Sequence, residues 1–176
     1  EWPMSVAIRV NAIGSEWHSV DVDAVSRSGV QFAVLPRTAS AHLLHGVREA
    51  IAKPTLAMIE TAAGVLAAAQ IASEAAGLIA GTNDLSADLR LPLDAGRQPL
   101  QAALQMTVLA ARATGIPVFD GVFNDLEDLE GFVAECGEGR SLGVRRQEPH
   151  PPVADRAVQP RFPAVGERGR ACTAAG

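Results

Sequence analysis

The chain has little of several features that particular classes of protein require. Its two cysteines, Cys136 and Cys172, lie far apart without a CxxC pair, so neither a disulfide framework nor a zinc knuckle is indicated. A net charge of −5 and a pI near 5.3 offer no basic face to nucleic acid. No signal sequence opens the chain, and no apolar run approaches the roughly 18 residues of a membrane span. We therefore expect a cytoplasmic, soluble protein without nucleic-acid or membrane partners.

What the chain does have is enough apolar residues for a core and a regular alternation of two patterns. Hydrophobic residues make up 48% of 176 residues, which fits one domain. Short runs rich in β-branched residues alternate with Ala-rich helical stretches, as in repeated βα units of a parallel sheet. The predicted strands are 6–10, 31–35, 55–59, 77–80 and 116–119, with 141–144 as a weaker sixth. The predicted helices are 20–28, 41–52, 62–76, 100–114 and 125–137.

Helix boundaries are predicted from capping residues. Thr61 and Asn124 suit helix starts, and Gly77 and Gly115 suit the positions that follow helix ends. A complete (β/α)8 barrel needs about 250 residues, and the pattern here begins as though in the middle of one. The fold class is therefore predicted as α/β, an incomplete TIM barrel that lacks the first βα units. Residues 1–144 are predicted to form this partial barrel.

Two acidic motifs stand about one βα unit apart, each where an apolar strand ends. Glu60 closes Ala57-Met58-Ile59-Glu60, and Asp84 follows in Gly81-Thr82-Asn83-Asp84-Leu85. The carboxyl ends of neighbouring parallel strands meet at one edge of a sheet, so these carboxylates can converge on one hard cation. The sequence predicts a Mg²⁺ site. The alternative is that Glu60 is a charge at a helix N-terminus and Asp84 a turn or N-cap residue.

Five short segments carry a family resemblance. They are Ile8-Arg9-Val10-Asn11, Val34-Leu35-Pro36-Arg37, Ile59-Glu60-Thr61-Ala62-Ala63-Gly64, Gly81-Thr82-Asn83-Asp84-Leu85 and Asp120-Gly121-Val122-Phe123-Asn124-Asp125. In order and spacing they resemble the citrate lyase β-subunit and malyl-CoA lyase branch of the HpcH/HpaI aldolase family. The resemblance implies a (β/α)8 barrel, of which this chain would lack the last strand and the lid. It also implies Mg²⁺-dependent, reversible carbon–carbon cleavage of 3-hydroxyacyl-CoA thioesters. It also implies a homo-oligomer, a trimer or hexamer.

Individual roles follow from the same resemblance. It implies that Glu60 and Asp84 bind the metal, and that Arg9 binds the carboxylate or carbonyl of the 2-oxo acid. Arg9 and Glu60 would be catalytic, because a divalent ion and a guanidinium stabilise the enolate that cleavage next to a carbonyl produces. Thr82 and Asn83 would shape the substrate pocket. At Arg37 the family more usually has Lys, so a role for that side chain is not implied.

Several alternatives stay open. Arg9 inside an apolar strand is also explained by a structural ion pair with Glu60. The same constellation suits a Mg²⁺-dependent 2-oxo acid aldolase or a malyl-CoA thioesterase, and a noncatalytic or inactive fragment is a further reading.

The tail, residues 145–176, departs from the resembled pattern and lacks a hydrophobic period, which is typical of disorder. One hypothesis for this departure is one extra base after the Val144 codon. Codons can be chosen for the tail that, read from their second base onward, encode the family-like Asp-Gly-Lys-Ser-Leu-Ile-His-Pro-Ser-Gln-Ile. A naturally divergent tail is the alternative.

Overall fold

The computed structural model describes residues 5–125, 127–144 and 148–149. Five parallel strands form one sheet in chain order: β1 (Ala7–Arg9), β2 (Phe32–Leu35), β3 (Thr55–Ile59), β4 (Gly77–Ala80) and β5 (Val118–Phe119). A short parallel pair joins β6 (Val122–Phe123) to β7 (Glu148–Pro149). The helices are α1 (His18–Arg27), α2 (Ala41–Ile51), α3 (Ala62–Leu66), α4 (Ala68–Ala72), α5 (Thr82–Asp88), α6 (Gln101–Thr114) and α7 (Leu129–Leu142).

The core lies between the sheet and the helices that follow each strand. Leu35, Ile59 and Leu78 from the central strands are fully buried, and they belong to one cluster with Leu44 of α2 and Ile71 of α4. Because every strand pairs in parallel with its neighbour in sequence, the carboxyl ends of β1 to β5 lie at one edge of the sheet. This topology brings residues that follow different strands together. No helix in the described ranges has the length and apolarity that a membrane span needs.

All five main predicted strands are present, each within or close to its predicted range. The sixth, 141–144, is wrong, because Ser141 and Leu142 continue α7. That helix ends at Gly143, whose φ of 94° is left-handed and whose N–H donates to the carbonyl of Arg140. Arg112 of α6 donates to the Gly143 carbonyl, which fixes this end.

The predicted helices differ from the observed ones mainly at their ends. In place of the predicted helix 62–76 there are two short helices, α3 and α4, because Ala67 leaves helical geometry with ψ at 4°, and α4 ends at Ala72. Thr61 is the N-cap of α3, as predicted, and its Oγ1 accepts from the N–H of Gly64. The last helix starts at Leu129 instead of 125, because Asp125 accepts from the N–H groups of residues 127 and 128 in a turn.

Three further local expectations can be compared with the structure. Gly115 follows α6 with φ at 74°, as predicted. Gly77 is not a helix terminator but the buried first residue of β4, where a Cβ would lie 2.9 Å from Cδ2 of Leu56. Asp84, for which a turn or N-cap position was the alternative, lies in the first turn of α5, whose N-cap is Gly81. Apart from residues 148 and 149, the predicted tail lies outside the described residues, so its boundary stays a prediction.

Candidate metal centre

Strand register places the two predicted metal ligands side by side. Glu60 directly follows β3, and Asp84 lies in the first turn of α5, just after β4. Ile59 pairs with Ala80 across the two strands, and the N–H of Gly81 donates to the carbonyl of Ile59. The chain therefore leaves both strands at the same level, at the carboxyl edge of the sheet, and the Asp84 carboxylate lies close enough to act on Glu60 electrostatically.

Glu60 is a buried carboxylate with one oxygen bound and one oxygen unpartnered. The residue is 2% exposed, and its Oε1 accepts from the N–H of Arg37 at 2.6 Å. Its Oε2 is buried without a hydrogen-bond partner in the part of the chain that the structure describes. Burial raises the pKa of Glu60, and the nearby Asp84 carboxylate raises it further, whereas the Arg37 N–H and the Arg9 charge lower it.

Gly81 makes room for that carboxylate. A Cβ on Gly81 would lie 2.4 Å from Cβ of Glu60 and 2.6 Å from its Oε2. A Cβ does not approach another heavy atom this closely, so any larger residue at position 81 displaces Glu60. The glycine is therefore part of the site although it carries no functional group.

Arg9 lies at the end of β1, two strands away from Glu60, and is exposed. Its charge acts on Glu60, whose pKa it lowers. Within residues 5–125, however, no ion pair within 4.0 Å joins the two side chains. The structural ion pair considered for Arg9 and Glu60 is therefore not formed, and the guanidinium remains available at the edge of the site.

Thr82 and Asn83 occupy different environments. Thr82 is buried, and a Cβ on Gly121 would lie 2.5 Å from its Oγ1, so it packs beneath the β5–β6 turn. Asn83 is exposed and exchanges two amide hydrogen bonds with Asn124, at 2.9 and 2.8 Å. The structure thus brings Glu60 and Asp84 together, with Thr82 supporting the wall of the site and Asn83 paired at its rim.

The donor set suits Mg²⁺. This ion is bound in proteins by one or two carboxylates and completes its octahedron with water and substrate oxygens. Among the described residues, no group of three or more His, Cys, Asp or Glu side chains is arranged to hold a metal. A buried, unpartnered carboxylate oxygen beside a second carboxylate is costly unless a cation or a proton compensates the charge.

Three contributors were not predicted from the sequence. The Arg37 N–H and Asn124 reach the site from other segments, and Gly81 opens the second acidic motif itself. This glycine was the signal that its own segment offered, whereas a main-chain donor and an amide pair leave no trace in composition.

A second buried acid lies on a neighbouring strand and has a different environment. Asp120, 1% exposed after β5, accepts two hydrogen bonds from Arg97 at 2.9 and 3.0 Å. Arg97 also donates to Glu135 of α7 at 2.7 Å. Asp120 is thus neutralised by its own cation and ties α7 to the sheet, so it differs from Glu60.

Comparisons with known proteins show what the chain is similar to. The chain is 38% identical to the (3S)-malyl-CoA thioesterase of Cereibacter sphaeroides over 77% of its own length and 49% of that protein. It is 31% identical to citrate lyase subunit beta of Escherichia coli over 77% of its length and 50% of that protein. It therefore spans about half the length of these curated relatives.

Solved structures show the same fold. The citrate lyase beta subunit of M. tuberculosis, complexed with oxaloacetate and magnesium, superimposes with a TM-score of 0.72 at 27% identity, covering 81% of this chain and 66% of that one. The five parallel strands are thus part of a TIM-barrel-like α/β fold. The family model for HpcH/HpaI aldolase/citrate lyase matches residues 1–149. The chain belongs to the HpcH/HpaI aldolase/citrate lyase family.

Proposed function

We propose that this chain carries the metal and oxo-acid half of a Mg²⁺-dependent lyase that cleaves a 3-hydroxyacyl-CoA thioester. The products are a 2-oxo acid and an acyl-CoA. The observation that carries the proposal is the buried, unpartnered Oε2 of Glu60 beside Asp84. Support also comes from the magnesium and oxaloacetate in the M. tuberculosis relative and from the CoA ester named for the C. sphaeroides relative.

In this proposal Glu60 and Asp84 hold Mg²⁺ and Arg9 orients the oxo-acid carboxylate or carbonyl. The ion supplies a Lewis acid for the developing enolate when it is bound. Arg9 presents a planar, two-pronged donor that matches a carboxylate better than a lysine does. Thr82 fixes the wall of the pocket. Asn83 reaches substrate only if its amide pair with Asn124 opens.

Metal binding by the chain itself is the first test. We expect Mn²⁺, which prefers the same oxygen ligands as Mg²⁺, to bind with an affinity measurable by electron paramagnetic resonance. Glu60→Gln and Asp84→Asn each weaken binding by about tenfold or more, at least the cost of removing an outer-shell partner. Glu74→Gln is the matched control, since Glu74 pairs with His45 and Arg48 before β4, at the opposite edge of the sheet. Equal affinity in all four proteins would contradict the proposed site.

The reaction type is decided by which bond breaks. A malyl-CoA thioesterase is the second candidate, because 38% identity to such an enzyme exceeds the 31% to citrate lyase beta. Carbon–carbon cleavage of malyl-CoA releases a 2-oxo acid without a free thiol, whereas hydrolysis releases CoA thiol without an oxo acid. Phenylhydrazine detects the first product and a thiol reagent detects the second.

This assay is run on the chain and on a version extended at both ends to the length of its relatives. Oxo acid that depends on Mg²⁺ and on Glu60 supports the lyase, and thiol alone supports the thioesterase. Activity confined to the extended version would show that the chain itself is noncatalytic. Light scattering on the same samples tests the proposed trimer or hexamer, and resequencing the DNA after the Val144 codon tests the proposed frame change.

A further inference from the structure

Arg37 has a backbone conformation that no helix end explains. Three non-glycine residues in the described ranges have positive φ: Arg37 at 48°, Ala52 at 54° and Arg90 at 55°. Ala52 caps α2, and Arg90 directly follows the end of α5, where left-handed residues are common. Arg37 follows a strand instead. A left-handed bulky residue outside a helix cap is a strained position, and strain of this kind concentrates at functional sites.

The strained turn directs its main-chain donors at the strand that carries Glu60. The N–H of Arg37 donates to Oε1 of Glu60 at 2.6 Å, and the N–H of the next residue, Thr38, donates to the carbonyl of Met58 at 3.1 Å. Thr38 is buried, and its hydroxyl donates back to the carbonyl of Leu35. Two successive N–H groups therefore attach this turn to β3.

The Arg37 side chain has a different setting. The residue is exposed, whereas its N–H reaches a side chain that is 2% exposed. The main chain therefore lies inside the site and the side chain lies at its surface. Any residue that accepts a left-handed conformation provides the same donor.

We infer that Arg37 is a positioning residue that acts through its main chain: its left-handed N–H holds Oε1 of Glu60 and so leaves Oε2 for the cation. This inference rests on the proposed metal site. Gly81 completes the arrangement from the other side, because only a residue without Cβ leaves room beside that oxygen. The chain thus fixes the carboxylate before a cation arrives, which lowers the entropic cost of binding.

The test compares side-chain changes with removal of the donor. Arg37→Gly keeps the N–H and favours positive φ, whereas Arg37→Val keeps the N–H but disfavours that backbone. Replacing the amide at residue 37 by an ester removes the N–H alone. We expect Arg37→Gly to bind Mn²⁺ at least as tightly as wild type and Arg37→Val to bind it more weakly. The ester should bind Mn²⁺ most weakly, by about tenfold or more relative to wild type.

An ester at residue 38 is the matched control, because it removes a hydrogen bond of the same turn that ends on a main-chain carbonyl. It should lower the free energy of unfolding without lowering Mn²⁺ affinity. If the ester at 37 binds Mn²⁺ as wild type does, or if Arg37→Gly binds as weakly as that ester, the inference is overturned.

A metal-free measurement separates this inference from the proposed function. A short N–H to carboxylate bond moves the amide proton of residue 37 downfield in the NMR spectrum, and Glu60→Gln should move it upfield. If that change is seen but wild type binds no Mn²⁺, the proposed metal site fails. If Mn²⁺ binds at Glu60 but the amide proton does not respond, the inference about Arg37 fails.

Discussion

Gly81 and Glu60 form the tightest steric arrangement of the site at the scale of single residues. We predict that Gly81→Ala lowers the free energy of unfolding by about 1–3 kcal/mol, because the added methyl group overpacks a filled space. It also weakens Mn²⁺ binding, since the Cβ would lie 2.6 Å from Oε2 of Glu60. Urea unfolding and a Mn²⁺ titration measure the two effects.

Gly46→Ala is the control for that substitution. Gly46 lies inside α2, and a Cβ there would meet no atom within 4 Å. Alanine inside a helix is favoured over glycine by about 0.5–1 kcal/mol, so this variant should be more stable than wild type. Similar losses of stability in both variants would show that the contact with Glu60 does not govern the first result.

At the scale of elements, α7 is joined to the sheet through ionised side chains. Arg97 lies between Asp120 at the end of β5 and Glu135 of α7, and its Nε is 3.5 Å from Glu138. Three carboxylates surround one guanidinium, so this cluster of side chains carries a net negative charge when all of them are ionised. Burial, followed by repulsion from Asp120 and Glu138, raises the pKa of Glu135 despite the attraction of Arg97.

This shift gives α7 a pH dependence with a definite sign. The folded chain keeps the Glu135 proton up to a higher pH than the unfolded chain does. The protonated carboxyl therefore adds to the free energy of unfolding below the ordinary pKa of 4.5, and this contribution is lost as pH rises through the raised pKa of the folded chain. Glu135→Gln keeps an acceptor for Arg97 and does not titrate. We predict that its stability relative to wild type rises between about pH 4 and pH 8 in urea unfolding. If the difference in free energy of unfolding between the variant and wild type stays constant or falls with pH, Glu135 is not the source of this pH dependence.

At the scale of the whole molecule, the sheet has an uncovered end. All three residues of β1 are exposed, Ile8 by 40%, and in the described ranges β1 pairs only with β2. An apolar strand edge promotes pairing between copies, and a charge on it opposes such pairing. We predict that Ile8→Lys reduces concentration-dependent self-association in sedimentation velocity.

Leu109→Lys tests whether the added charge alone has this effect. Leu109 is 67% exposed on α6, so its substitution changes net charge equally without touching a strand edge. An equal reduction in both variants would assign the effect to net charge, and no reduction in either would show that β1 does not mediate association.

Local patterns in the sequence determined the element types and the two candidate metal ligands. The alternation of apolar runs with Ala-rich segments predicted five parallel strands, and carboxylates at two strand ends predicted the Glu60 and Asp84 pair. These features are encoded within single elements, where the hydrophobic period and the position of a charge can be read directly. The predicted strand at 141–144 was wrong because four apolar and small residues do not distinguish a strand from the last turn of a helix.

Tertiary structure alone decided how those residues are arranged around one another. The sequence could not show that the Arg37 N–H binds one oxygen of Glu60, that Gly81 makes room for the other, or that Asn83 pairs with Asn124. Each contact joins segments at least 21 residues apart, and the Arg37 contact uses a main-chain group that every residue except proline possesses. Side-chain identity therefore predicted which atoms could bind a cation, whereas the register of β2, β3 and β4 determined which of them are left free to do so.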